Sequence, residues 1–147
     1  MAEIILSNRM QALTDMVTPG TVITDVGCDH GFVSVYLVQK GISPRVIAMD
    51  VRSGPLEHAR EHIREYGLED RIETRLSDGL HSLKTGEAAG MICAGMGGPL
   101  MEKILTEGRK YHIGLNFATQ FLPKSEEVKM IMNNADTKAF FQLDDRA

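Results

Sequence analysis

Residues 24–31, Thr-Asp-Val-Gly-Cys-Asp-His-Gly, constrain this chain more than any other stretch. They follow the apolar pair Val22-Ile23, which reads as a buried strand. They precede the apolar run Phe32 to Val38, which reads as a helix. A strand that stops at an acid and turns through glycines into a helix is the nucleotide-binding corner of doubly wound α/β proteins. Such a turn aims free helix N–H groups and the positive end of a helix dipole at a ligand. Here the corner is acidic: Asp25 and Asp29 stand where a pyrophosphate-binding loop carries glycines. Carboxylates repel a diphosphate. They suit a ligand with a cationic amino-acid end and a ribose, and S-adenosylmethionine is the common molecule of that kind.

The rest of the chain repeats strand and helix. Ser7 is placed to cap a helix with Met10, Leu13, Met16 and Val17 on one face, ending before Pro19-Gly20. Strands are expected at 21–26, 45–49, 72–76 and 91–94, with a fifth from Leu115 to Leu122. Helices are expected at about 31–40, from Ser53 to Gly67, from Gly98 to about Thr106, and over 125–133. Alternation of this kind means parallel strands joined by right-handed crossovers. The fold class is therefore α/β, a doubly wound, mostly parallel, Rossmann-like sheet, with residues 1–147 as one domain. Residues 139–143 look like the start of another strand, and the chain stops four residues later. A coding sequence cut short of its final strands is the expectation.

Ligands of open parallel sheets sit outside the carboxyl ends of the strands. The first strand supplies Asp25, Gly27, Asp29 and Gly31. The second ends in Asp50, an acid able to accept both hydrogen bonds of a ribose diol. The third ends in Asp78-Gly79-Leu80, where a carboxylate and a backbone N–H can read an adenine edge. The fourth ends in Ala94-Gly95-Met96-Gly97-Gly98, whose bare backbone lets two ligands approach closely. Each acid alone could equally be a helix cap or turn residue; the four strand ends together point to a nucleoside-containing ligand.

Other features carry less. A net charge of −4 works against a large nucleic-acid footprint on this chain, although it says nothing of local distribution. Arg52, Arg60, Arg64, Arg71 and Arg75 read as a solvated face paired with Glu57, Glu61, Glu65 and Glu73. Cys28 and Cys93, without a CxxC pair, argue against a disulfide framework and a zinc site and for a reducing, cytoplasmic compartment. Cys28 is a small packing residue rather than a nucleophile, and the nine methionines read as core filler. No signal peptide is visible, and no apolar window approaches the roughly 20 residues of a membrane helix. His58-Ala59-Arg60-Glu61-His62 matches the HxxEH zinc-protease pattern. The core stripe at 56, 59, 63 and 66 leaves those side chains toward solvent and far from the strand ends, so no metal is expected. His30 has three readings: a base, an orienter of the acceptor, or a satisfied polar residue of the loop.

These residues resemble the bacterial tRNA methyltransferases that modify N1 of adenine 22. The resemblance rests on Ser7-Asn8-Arg9-Met10, the Asp25-to-His30 loop, Asp50 through Leu56, Arg75 to Leu80, Ala94 to Gly98 and Leu122-Pro123-Lys124. Gly31 stands where that family usually has alanine, Ser34 where it has proline and Ala89 where an acid is common; Phe121 displaces a usual glutamine. The family also continues into a C-terminal helical domain beyond the length of this chain. The resemblance implies methyl transfer from S-adenosylmethionine to adenine N1 in tRNA, with the base drawn out of its pair. It implies Asp25 and Gly27 at the amino-acid end of the cofactor, Asp50 with Val51 at its ribose, and Asp78 with Gly79 at its adenine. Ala94 and Gly95 complete that site, and Gly95, Met96, Gly97 and Gly98 floor the pocket of the target base. Asp29 would lie beside the transferred methyl or the adenine amine, supported by His30, as the catalytic pair. Competing readings are a small-molecule methyltransferase and a truncated cofactor-binding module without turnover. A nicotinamide oxidoreductase is disfavoured by the missing GxGxxG.

Overall fold

The computed structural model describes residues 3–94, 98–111, 113–119 and 137–141. In chain order the elements are α1 (Asn8–Asp15), β1 (Ile23–Val26), α2 (Phe32–Gln39), β2 (Val46–Asp50), α3 (Ser53–Glu65) and β3 (Ile72–Leu76). They continue as β4 (Gly90–Ala94), α4 (Gly98–Gly108), a 3-10 turn (Arg109–Tyr111), β5 (Gly114–Thr119) and β6 (Thr137–Phe141). Ser7 caps α1 as its sequence position suggests, its Oγ accepting from the Met10 N–H at 3.3 Å. The expected fifth strand is β5, and residues 120–122 of that expectation lie outside the described residues, as does the expected helix at 125–133. The strand expected at 139–143 is β6, set two residues earlier.

The strands form one six-stranded sheet in the order β3-β2-β1-β4-β5-β6, and every pairing is parallel. The chain builds outward from β1 through β2 to β3. It then returns to the other side of β1 for β4 and builds outward again. A parallel sheet needs cover on both faces, and period-2 alternation assigns each side chain to one of them. Val46, Ala48 and Ile92 face a core completed by Leu13, Val35, Leu37, Ala59 and Ile63 of α1, α2 and α3. Ile47, Met49, Met91 and Cys93 face the opposite core, with Leu80, Leu83 and Ile104 of α4.

Two local devices hold the elements next to the ligand crevice. The first is a close approach. Gly31 caps α2 with φ +78°, and a Cβ there would lie 3.0 Å from Ala59 Cβ and 3.3 Å from Ala59 Cα on α3. The second is an ionic clasp. Arg75 on β3 donates to Glu73 Oε1 at 2.9 Å, to the Ser82 carbonyl at 2.8 Å and to Glu87 Oε2 at 2.7 Å. The expectation of an Arg–Glu face thus holds in part: Arg60 pairs with Glu57 and Arg75 with Glu73. Glu87 is a partner outside that expected set, Arg71 donates to the Pro44 carbonyl, and Arg52 approaches Asp50. Arg75 holds the Glu87 carboxyl down at about 2, chiefly through its hydrogen bond. The clasp fastens the loop between β3 and β4, within which Ser77 Oγ donates to the Gly79 carbonyl at 2.9 Å and accepts from Ser82 N at 3.0 Å.

Two measurements check these devices. Gly31→Ala should lose about 1–2 kcal/mol for the left-handed conformation, and more from the Ala59 contact, read as a lower midpoint in urea unfolding. Arg75→Met should lose about 2 kcal/mol at neutral pH, as for hydrogen bonds between charged groups. Because the folded Glu87 carboxyl titrates below its ordinary 4.5, its contribution is complete above that pH. The stability gap between wild type and Arg75→Met should therefore narrow as pH falls from 4.5 toward 2.

Candidate cofactor and methyl-transfer site

The strand order reverses between β1 and β4, and this is where an open α/β sheet leaves a crevice. The turn leaving β1 is shaped by left-handed residues: Gly27 at φ +73°, Asp29 at φ +51° and Gly31 at φ +78°. Glycine adopts that conformation freely, whereas Asp29 does so at a cost that its surroundings must offset. They do so through β2. The N–H groups of Gly27 and Cys28 both donate to the Met49 carbonyl, at 2.8 and 2.9 Å. The Asp29 N–H donates to Asp50 Oδ2 at 3.1 Å. The other oxygen of Asp50 accepts the Arg52 N–H at 2.9 Å. Asp50 therefore grips the loops at the ends of both β1 and β2.

A cavity of about 430 Å³ opens over this turn. Asp25, Gly27, Asp29, Asp50, Val51, Asp78 and Gly79 all line it, as the strand-end argument expects. Ala94 is the last residue of β4 and Gly98 the first of α4. Gly95, Met96 and Gly97, expected in the base pocket, lie outside the described residues. The sequence reading missed several lining residues: Met10 of α1, Val33 of α2, Ser77, and Leu100 and Ile104 of α4. Met10 was expected only as core; it packs on the core and also reaches the cavity.

The cavity is electrostatically unbalanced. Asp25 is 4% exposed, and burial pushes its carboxyl up to about 6, against a hydrogen bond from Ser34 and with the charges of Asp50 and Asp29 adding to the rise. Four carboxylates and one guanidinium, that of Arg52, line this cavity, and the excess of negative charge disfavours an anionic ligand and is left for a cationic one to compensate. The donor set fits S-adenosylmethionine on this ground: carboxylates for an ammonium group and a diol, apolar walls for a purine and a methylene chain. The same acids, with burial as the main cause, raise the Cys28 thiol, and burial pushes Cys93 up to about 12. Both cysteines stay thiols at neutral pH, which excludes a thiolate nucleophile.

The expected catalytic pair is close but divided between two spaces. His30 Nε2 lies 3.8 Å from Asp29 Oδ1. Asp29 lines the first cavity and also a neighbouring cleft of about 460 Å³, whereas His30 lines the cleft alone. The HxxEH stretch needs one correction. His58 is exposed and pairs with Glu61 at 3.6 Å, but its ring centroid lies 5.2 Å from that of His30, and neither it nor His62 is remote from the strand ends. The Nδ1 of His62 lies 2.8 Å from the His30 carbonyl, and its ring stacks on Phe32 with centroids 4.5 Å apart. The sequence periodicity of α3 places His62 off the core stripe and cannot show that the β1–α2 turn folds back over it. Among the described residues no group of three or more His, Cys, Asp or Glu is arranged to hold a metal ion. Among them, too, no helix is long and apolar enough to cross a membrane.

Known proteins share this geometry. The chain is 36% identical over 109 residues to the tRNA (adenine(22)-N(1))-methyltransferase of Bacillus subtilis, covering 74% of this chain and 46% of that one. A Streptococcus pneumoniae protein solved with S-adenosyl-L-methionine superposes with a TM-score of 0.75 at 28% identity, over 87% of this chain and 61% of the other. Mycoplasma capricolum TrmK, solved with S-adenosyl-homocysteine, superposes with a TM-score of 0.77 at 26% identity, over 88% and 57%. The chain thus spans about half the length of the curated relative it matches. The Methyltransferase domain family matches residues 6–138, from the start of α1 into β6, and the acidic corner at the sheet's reversal point falls within that span: this chain belongs to the methyltransferase domain family.

Proposed function

We propose that this chain binds S-adenosylmethionine in the acid-lined cavity and serves methyl transfer to N1 of an adenine in tRNA. The observation that carries the reading is the convergence of Asp25, Asp29, Asp50 and Asp78 on one cavity. The similarity to the B. subtilis tRNA enzyme supports the choice of substrate. When bound, the cofactor supplies an electrophilic methyl group on a sulfonium. The protein's work is positioning and electrostatics. Asp25 and the Gly27 backbone take the amino-acid end. Each oxygen of Asp50 already accepts one backbone N–H and keeps a further lone pair for a ribose hydroxyl. Val51 flanks that ribose, and Asp78 with Gly79 meets the adenine. Ala94 ends β4 and Gly98 begins α4, and the resemblance assigns the run from Ala94 to Gly98 between them to the cofactor and the extruded base.

Asp29 stands at the junction of the cavity and the neighbouring cleft, the place where a methyl donor and an acceptor base would meet. Its carboxylate accepts a hydrogen bond from the exocyclic amine of the target adenine and so turns N1 toward the methyl. His30 supports that carboxylate from the cleft side. Adenine N1 is masked in a base pair, so the acceptor must come from an unpaired or extruded base. A second reading, cofactor binding without turnover, draws on the chain's covering 46% of its B. subtilis relative.

Labelled S-adenosylmethionine offered with bulk tRNA and, separately, with a metabolite extract separates the readings. Label in tRNA at adenine N1 is the expected outcome. Label in small molecules overturns the tRNA assignment, and binding without any transfer supports the second reading. Asp50→Asn should weaken cofactor binding by roughly tenfold to a hundredfold, about 1–3 kcal/mol. Calorimetric titration of the folded variant measures it.

A further inference from the structure

Within the buried helix α2, Ser34 is a hydroxyl among apolar neighbours. It is 0% exposed, and Val35, Leu37 and Val38 around it belong to the core. A serine inside a helix ordinarily bonds back to the carbonyl one turn earlier or faces solvent. Ser34 does neither. Its Oγ reaches across to β1 and donates to Asp25 Oδ2 at 2.8 Å. Thr24, a buried hydroxyl on β1, donates to the Ile47 carbonyl at 3.0 Å instead.

The groups that face Asp25 explain why this bond matters. From β2 comes the Asp50 carboxylate, from the turn the Asp29 carboxylate, and from the turn and β4 the thiols of Cys28 and Cys93. None of them is a cation. Among the described residues, Ser34 is the group that favours the ionised form of Asp25, against burial and two like charges. The bond also occupies one carboxylate oxygen and leaves the other for the cavity that Asp25 lines.

We propose that Ser34 is a positioning residue for the cofactor: by donating to Asp25 it keeps that carboxylate charged and oriented for the ammonium end of S-adenosylmethionine. The inference rests on the cofactor reading above. It makes cofactor affinity proton-linked. Below about pH 6 the ligand-free Asp25 carries a proton that binding must expel, so affinity falls by about tenfold per pH unit. Without Ser34 the inflection moves up by about one pH unit, and affinity at pH 7 drops about twofold from the added proton alone.

The test is calorimetric titration between pH 5 and 9 with two compounds. S-adenosylhomocysteine keeps the ammonium end, and 5′-methylthioadenosine lacks it. Wild type should bind S-adenosylhomocysteine with an inflection near pH 6, Ser34→Ala should shift that inflection upward, and methylthioadenosine should show neither effect. In an Asp25→Asn background, Ser34→Ala should add no further loss. Should Ser34→Ala fail to fold, Ser34→Cys, a weaker donor, decides the matter by an intermediate shift. Superimposable pH curves for wild type and the serine variant, or equal losses for both compounds, overturn the assignment of Ser34 alone. Failure of wild type to bind either compound overturns the cofactor reading and this inference with it.

Discussion

A carboxylate at the end of a strand that is paired on both sides lies between neighbouring strands and beneath a helix. Asp25 is in that position, with β2 on one side, β4 on the other and α2 above. Burying it costs free energy that no cation among the described residues repays. Much of the surrounding design follows from that placement. A hydroxyl is recruited from an otherwise apolar helix, and the turn leaving the strand runs through left-handed residues back over its own strand end. The uncompensated charge is then available to a ligand that brings its own. A site built on such a deficit gains more from a cationic ligand than a neutral site does, because the ligand relieves a strain already present in the free protein.

The molecule keeps its two electrostatic regions apart. On β3, Arg75 meets Glu73 and Glu87 in a clasp that fastens the loop carrying Ser77 to Gly79, and Arg45, just before β2, balances it by pairing with Glu73. At the ends of β1 and β2 the acids outnumber the cations: Arg52, which also lines the cavity, approaches Asp50 at 3.7 Å and is largely exposed. Balanced charges hold the loop, and unbalanced ones face the cavity.

Much of this could be read from the sequence, because the relevant signals are local. Strand ends carry acids, turns carry glycine, and apolar runs have the lengths of strands and helices. Asp25, Asp29, Asp50 and Asp78 were placed on one rim by topology alone, and the structure puts them there. The residues that escaped notice act at long range. Ser34 reads as a weak spot in an apolar helix until the strand beneath it is known. Glu87 lies twelve residues beyond Arg75, across an irregular loop in which no period applies. His62 reads as solvent-facing from the periodicity of α3, since periodicity reports which face a helix buries against its sheet and not which loops fold over its flank. Met10 belongs to a core stripe that also borders the cavity.

The burial pattern of β2 has a consequence for how the chain finds its register. All five of its residues are buried, four of them apolar, so there is no alternation of polar and apolar side chains to distinguish the correct pairing from one slipped by a residue. A slip would exchange the two cores with little change in hydrophobic content. What it could not preserve is the grip of Asp50 on the backbone N–H groups of Asp29 and Arg52. The acid assigned to the ribose thus doubles as the pin that tells a featureless strand where to stop.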